Sequence, residues 1–349
     1  MGKIAVVLGT RPEIIKLASV VKGLQKTKHD IVVINTGQHK QLGKQTLKIF
    51  DIKPNYDLKI MKKNQTLCDI VKKSISGLDE IIKKERPDLM IVLGDTATAL
   101  SGAQSAFYNN VKIMHLEAGV RAETKNLPFP EEANRRMITQ ISDYNVSIYK
   151  EHKDNLKKEG ISAILSGNTG IDALKMIKVS KKKKNQILFT MHRRENWDKV
   201  EDMCDLINEL AFSTAGWNFI VACHPNPIVR DTVYRKLSFN SLIKIIDSVP
   251  YDKFVQLIAE SKLIVTDSGG IPQEAPIFNT TVLITRNQYE NAEILKLTDT
   301  KIVGTNTEEI KSAILKEMTK KKKSKNYKNY SKETKSYKKI IKYVEEILK

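Results

Sequence analysis

Short β-branched runs recur along this chain with amphipathic stretches between them, and that alternation restricts its fold more than any other feature. Residues 4–8, 31–35, 89–93 and 112–116 read as buried strands with helical periodicity between them. Strand, crossover helix and strand in the same sense make a parallel sheet covered on both faces. The rhythm breaks over 178–185, a charged stretch without apolar periodicity that reads as a linker, and resumes with strands at 187–190, 219–222, 244–246, 263–266 and 281–284. The expected fold is α/β, with two Rossmann-like doubly wound domains at 1–172 and 173–335. A last amphipathic segment, 337–348, reads as one docked helix.

Composition narrows the function. Of 349 residues, 59 are Lys or Arg and 40 Asp or Glu, so the formal charge is 59 − 40 = +19. The lysine runs at 181–184 and 320–323 have no interleaved aromatic residues and no nucleic-acid-binding pattern, so they read as surface chemistry and no nucleic-acid partner is expected. No apolar stretch approaches a membrane span, and no export signal is visible. Cys68, Cys204 and Cys223 are too few for a disulfide framework, which suits a reducing, cytoplasmic setting. No G-x-G-x-x-G, H-E-x-x-H or G-x-S-x-G occurs, and the six His show no metal-ligand spacing. Neither a metal nor a tightly bound cofactor is expected.

Ligands of open parallel sheets gather beyond the carboxyl ends of strands, and those positions are polar here. The first strand runs into Gly9-Thr10-Arg11-Pro12-Glu13, where a helix start and Arg11 invite an anion. Two further strands end at Gly94-Asp95 and Glu117-Ala118-Gly119, and Glu131 opens a helix after Pro130. Carboxylates gathered in one crevice suit general acid–base chemistry, although each alone is equally a cap or an ion-pair member. In the second half, His192 and His224 follow strands, and Thr266-Asp267-Ser268-Gly269-Gly270 opens a helical segment containing Glu274. Small residues there let a phosphate approach free N–H groups, and Glu274 stands where a carboxylate takes two ribose hydroxyls.

Eight motifs in order, Gly9-Thr10-Arg11-Pro12-Glu13, Thr36-Gly37-Gln38-His39, Gly94-Asp95-Thr96, His115-Leu116-Glu117-Ala118-Gly119, Pro130-Glu131-Glu132-Ala133-Asn134-Arg135, Gly167-Asn168-Thr169, His192-Arg193-Arg194-Glu195-Asn196 and Asp267-Ser268-Gly269-Gly270, carry a resemblance. The chain resembles the non-hydrolysing UDP-N-acetylglucosamine 2-epimerases from about residue 3 to 305. The resemblance implies a GT-B-like pair of domains with a cleft between them, a terminal helix (336–349) joining the first domain, and a homodimer. It assigns Lys16, Asp95, Glu117, Glu131 and His192 to catalysis, and Arg11, Phe254, Ser268, Gly269, Gly270 and Glu274 to the uridine diphosphate. Some bacterial members bind a second substrate molecule as activator; Gln38, Gln41, Arg193 and His224 look like that set, while Asn64 stands where an Arg is usual. The chain also reads Glu290-Asn291-Ala292-Glu293 where the family has Glu-Arg-Pro-Glu, and Arg286 is the candidate to replace the lost arginine.

The implied reaction is reversible C2 epimerisation of UDP-N-acetylglucosamine to UDP-N-acetylmannosamine, or of a modified relative, supplying surface-glycan synthesis. The C2–H bond has no adjacent carbonyl, so elimination of UDP followed by re-addition is the cofactor-free route. Which of Asp95, Glu117 and Glu131 takes the proton stays open at this level. A GT-B glycosyltransferase and a hydrolysing 2-epimerase are the alternatives.

Overall fold

The computed structural model describes every residue except 63, 64, 127, 181, 192, 248, 290, 291 and 321–334; for 194, 195, 292 and 293 only the backbone is described. The chain divides into two compact units. The first sheet contains β1 (Lys3–Leu8), β2 (Asp30–Asn35), β3 (Tyr56–Asp57), β4 (Leu89–Leu93), β5 (Lys112–Leu116), β6 (Tyr144–Ser147) and β7 (Ala163–Leu165). Their order is β3-β2-β1-β4-β5-β6-β7, parallel throughout. The second contains β8 (Lys184–Thr190), β9 (Asn218–Ala222), β10 (Ile243–Ile246), β11 (Ser261–Thr266), β12 (Thr281–Ile284) and β13 (Thr300–Ile302), in the parallel order β10-β9-β8-β11-β12-β13. Chain direction across the sheet reverses between β1 and β4 and between β8 and β11, the switch points at which ligands collect.

Two-residue alternation decides which side chain meets which helix layer. Ala5, Val7, Val32, Ile34, Met90 and Val92 line one face of the first sheet and pack on Leu78, Ile81, Leu100 and Ala103. In the second, Leu188, Ile220, Ile264 and Val282 line one face, while Ile187, Phe189, Phe219 and Val265 line the other. Each Val, Leu, Ile, Phe or Met among them, removed from water, contributes about 1.5–3 kcal/mol.

All nine expected strands form. Four more, β3, β6, β7 and β13, are only two to four residues long, too short for the two-residue period to register. The unit boundary falls after Met176 rather than at 172, because the helix Thr169–Met176 packs along the helix Arg11–Leu24. The charged stretch expected to be a linker is anchored to the second unit. Ser180 N–H donates to Gln256 Oε1 at 2.9 Å, Lys183 Nζ donates to the Ser261 carbonyl at 2.6 Å, and β8 begins at Lys184.

The C-terminal helix Ser336–Ile347 belongs to the first unit. It approaches Arg11–Leu24 so closely that a Cβ on Gly23 would lie 2.3 Å from Ile341 Cδ1. Buried Asp172 caps it from another segment, accepting from Lys335 N–H at 2.7 Å and Tyr337 N–H at 2.9 Å. Among the described residues no helix is long and apolar enough to cross a membrane.

Candidate active site

In the first unit the candidate residues stand on or beside the turns after β1, β4 and β5. At the β1 turn Thr10 and Glu13 form a capping box. Glu13, 1% exposed, accepts from the Gly9 and Thr10 amides at 3.1 and 2.7 Å and from the Thr96 hydroxyl at 2.7 Å. Burial pushes its pKa up against those hydrogen bonds. The Arg11 amide donates to His39 Nδ1 at 3.1 Å. The expectation of an anion on this helix start is therefore corrected: its backbone donors already have acceptors, and an anion there would meet the Arg11 side chain. Gly9 is required by close approach, since its Cβ would lie 1.9 Å from Thr36 Oγ1.

The β4 and β5 turns leave their strands through left-handed backbone, at Gly94 (φ 73°), Glu117 (φ 64°) and Gly119 (φ 92°). For a glutamate this conformation costs roughly 1–2 kcal/mol, a local strain of the kind found at functional sites. Lys16 Nζ, reaching from the helix after β1, donates to Glu117 Oε2 at 2.7 Å. Glu117 Oε1 is buried with no hydrogen-bond partner among the described residues. Asp95 is held similarly: Arg135 Nε donates to its Oδ2 at 3.0 Å, and Arg135 Nη2 donates to the same oxygen. His115 Nε2–H donates to the Gly94 carbonyl at 2.7 Å, fixing the Asp95 turn from behind. Burial pushes the His115 pKa down to about 4 and keeps the ring neutral. Burial also lowers His152 to about 4, helped by the positive charges of Arg135, Arg121 and Lys16.

Lys16, Asp95 and Glu117 thus lie at neighbouring strand exits. Glu131 is the first residue of the helix Glu131–Ile141 and is half-buried. Sequence reasoning passed over Glu132 and Arg135. Glu132, 0% exposed, accepts from Arg135 Nη1 at 2.9 Å and Arg136 Nε at 2.6 Å. The available signal was their spacing, since positions three and four residues after Glu132 share its helix face.

In the second unit the turns after β8, β11 and β12 meet. Asp267 Oδ2 accepts from the Arg193 amide at 3.0 Å and from Asn196 Nδ2 at 3.2 Å, tying the β8 turn to the β11 turn. Ser268 N–H donates to Thr266 Oγ1 at 3.0 Å. Neither Gly269 nor Gly270 is demanded by internal packing: a Cβ on Gly270 would meet nothing within 4 Å, and one on Gly269 only Arg193 Nη2 at 3.8 Å. The guanidinium of Arg193 therefore lies at the glycine turn. The expected helix after this turn is one short α segment, Ile271–Glu274, passing into a 3₁₀ turn at Ala275–Phe278. Pro276 lacks the N–H that would bond the Pro272 carbonyl, so the α ladder stops, and less helix dipole is available than the sequence suggested. Glu274 Oε1 accepts from Tyr251 O–H at 3.0 Å, and Phe254, on the helix Tyr251–Glu260, packs against the apolar layer under β8 and β11. The Arg286 guanidinium lies 6.0 Å from the ring centre of Tyr289.

The remaining expected residues are divided between the two units. Gln38, whose Oε1 accepts from Thr98 Oγ1 at 2.8 Å, and exposed Gln41 are in the first. His224, whose Nδ1 accepts from the Asn226 amide at 3.1 Å, is in the second. His192, Asn64 and Asn291 lie outside the described residues. Among the described residues no three His, Cys, Asp or Glu are grouped to hold a metal ion.

Two parallel doubly wound sheets, with charged side chains gathered at strand exits, define a two-domain Rossmann-like α/β protein. A family model described as UDP-N-acetylglucosamine 2-epimerase matches residues 22–345. The UDP-N-acetylglucosamine 2-epimerase of Bacillus subtilis is 37% identical over 324 residues, 88% of this chain and 85% of that protein. A crystal structure of UDP-GlcNAc 2-epimerase from Neisseria meningitidis bound to UDP-GlcNAc superposes with a TM-score of 0.88 at 33% identity, covering 99% of this chain and 100% of that one. S. aureus MnaA in a structure with UDP gives a TM-score of 0.87 at 34% identity, covering 100% and 97%. The chain belongs to the UDP-N-acetylglucosamine 2-epimerase family.

Proposed function

We propose that this protein interconverts UDP-N-acetylglucosamine and UDP-N-acetylmannosamine by eliminating and re-adding UDP, without releasing free sugar. The observation that carries the reading is the pair of carboxylates at adjacent strand exits, Asp95 and Glu117, each engaged by a cation through one oxygen. Such tethering aims a carboxylate without consuming it. In the forward direction one carboxylate takes the C2 proton, the C1–O bond breaks, and UDP leaves with the bonding pair, giving a C1=C2 glycal. Returning a proton to the opposite face of C2 while UDP re-forms the C1–O bond completes the inversion. Asp95, Glu117 and Glu131 are the proton-transfer candidates. The Ser268-Gly269-Gly270 turn and Arg193, with Arg11 and Arg286, would stabilise the departing diphosphate, an electrostatic contribution that is commonly the largest. His192 is assigned to the same diphosphate.

Incubation with UDP-N-acetylglucosamine in D₂O, followed by NMR, tests this. Deuterium at C2 with UDP retained in both epimers is the expected result. Free N-acetylmannosamine would make the enzyme a hydrolase, and an unchanged substrate that turns over only with an acceptor sugar would make it a glycosyltransferase.

The protein is further read as a cytoplasmic homodimer feeding surface-glycan assembly; its three cysteines are unpaired, as a reducing compartment requires. The dimer reading is supported by an apolar groove of about 420 Å³ on the first unit, lined by Leu100, Phe107, Tyr108 and Met137. Phe107, Tyr108 and Met137 are 53%, 69% and 46% exposed and lie together on two neighbouring helices, an apolar face that a second copy of the chain would cover. Phe107→Glu together with Met137→Glu is expected to shift the mass measured by light scattering from dimer to monomer; an unchanged mass rules this face out.

A further inference from the structure

The Gly269–Gly270 peptide lies at the centre of the proposed diphosphate site. Neither glycine has a side chain to pack, and their surroundings leave both Cβ positions open. A peptide flanked by two glycines reverses at little steric cost, and reversal would exchange the carbonyl and N–H directions, since the two are fixed in opposite senses across a planar trans unit. One side chain opposes this from outside the turn. Tyr289, five residues beyond β12, donates its O–H to the Gly269 carbonyl at 3.0 Å, and Gln273 Nε2 adds a longer bond of 3.3 Å to the same oxygen. With that carbonyl drawn toward the protein, the Gly270 N–H faces the other way, where it makes a long bond of 3.3 Å to Ser268 Oγ that a phosphate oxygen would have to displace or share. The ring of the same tyrosine lies under the Arg286 guanidinium, at a separation where a cation is attracted to an aromatic face.

We propose that Tyr289 is a positioning residue for the diphosphate, its hydroxyl locking the Gly269–Gly270 peptide and its ring carrying Arg286. Ser268 and Gln273 hold the same peptide by longer bonds from the turn and its helix, and Tyr289, with the shortest bond, couples it to the cationic part of the grip ahead of binding, which lowers the ordering cost of the ligand. The inference rests on reading the second unit as the UDP site.

The test uses the full chain and its Y289F, Y289L, R286Q and Y289L/R286Q variants, with UDP affinity measured by calorimetry and uridine affinity by NMR titration. Y289F removes only the hydroxyl and is expected to weaken UDP about 3- to 10-fold, the usual yield of one net hydrogen bond. Y289L, which also takes the ring from under Arg286, should weaken it about 2- to 5-fold more. That extra loss should disappear in the R286Q background, because residues acting through one another are not additive. Uridine, which has no phosphate, should bind every variant within twofold of the parent. Y289F binding UDP like the parent overturns the inference. So does a parallel loss of UDP and uridine, the pattern of a purely structural role. If the unaltered chain binds no UDP, the reading of the second unit falls and this inference with it, an outcome separate from any difference among variants.

Discussion

Asp95→Asn is expected to lower the epimerisation rate by about 10² to 10⁴ while UDP binds within a few-fold of the parent. The structure makes this a clean subtraction. Two nitrogens of Arg135 donate to Oδ2 of Asp95, and the backbone at Asp95 is fixed separately, its carbonyl accepting from Asn134 Nδ2 at 2.8 Å. The asparagine amide oxygen can take over the contact with Arg135, which only donates, and the NH₂ group then replaces Oδ1. The variant keeps its shape but loses the oxygen that can receive a proton. Glu117→Gln follows the same logic, with Lys16 keeping its acceptor and Oε1 becoming a donor. The UDP-binding candidates of the second unit are untouched by either change. NMR rates and calorimetric UDP affinities decide the matter. A variant that turns over normally once bound, but binds UDP poorly, would move Asp95 or Glu117 from proton transfer to substrate binding.

What sequence could reveal about this site follows from how each feature is specified. Strand exits are local: a β-branched run followed by Gly-Asp or Glu-Ala-Gly places the carboxylate without knowledge of the rest of the chain, and Asp95 and Glu117 stand at such exits. Partners are not local. The Lys16–Glu117 pair spans 101 residues and the Arg135–Asp95 pair 40, and only the parallel register of β1, β4 and β5 brings them together. The β1 turn misled for a related reason. A helix start with an arginine looks like an anion site until Glu13, the third residue of the helix, is seen to take the Gly9 and Thr10 amides and His39 the Arg11 amide. At the β11 turn the glycines were legible as open backbone, while the length of the following helix was not, because it is ended by Pro276, which a scan for helix starts passes over. Tyr289 left no signal at all, since its hydroxyl bond to Gly269 crosses from one loop to another.

The neighbours Glu131 and Glu132 should both lose activity when replaced but differ sharply in stability, which separates a direct catalytic loss from one that follows a weakened fold. Glu132→Ala is expected to destabilise the fold by about 3–5 kcal/mol, the usual cost of removing one member of a buried ionic group. Its side chain is fully buried, and its loss removes one of the two carboxylates paired with Arg135, 11% exposed, and leaves the Ala122 amide without the oxygen it reaches at 3.1 Å. Activity should fall as well, since Arg135 is then free to swing fully onto Asp95. Glu131→Ala forfeits only a favourable charge in the first turn of its helix, a few tenths of a kcal/mol to about 1, yet it should lower turnover by about 10² or more as a proton-transfer candidate. Denaturant midpoints set beside turnover rates distinguish the two. If Glu132→Ala unfolds at the parent midpoint, the buried network is not what holds Arg135 in place. If Glu131→Ala keeps full turnover, proton transfer rests on Asp95 and Glu117 alone, one carboxylate for each face of C2.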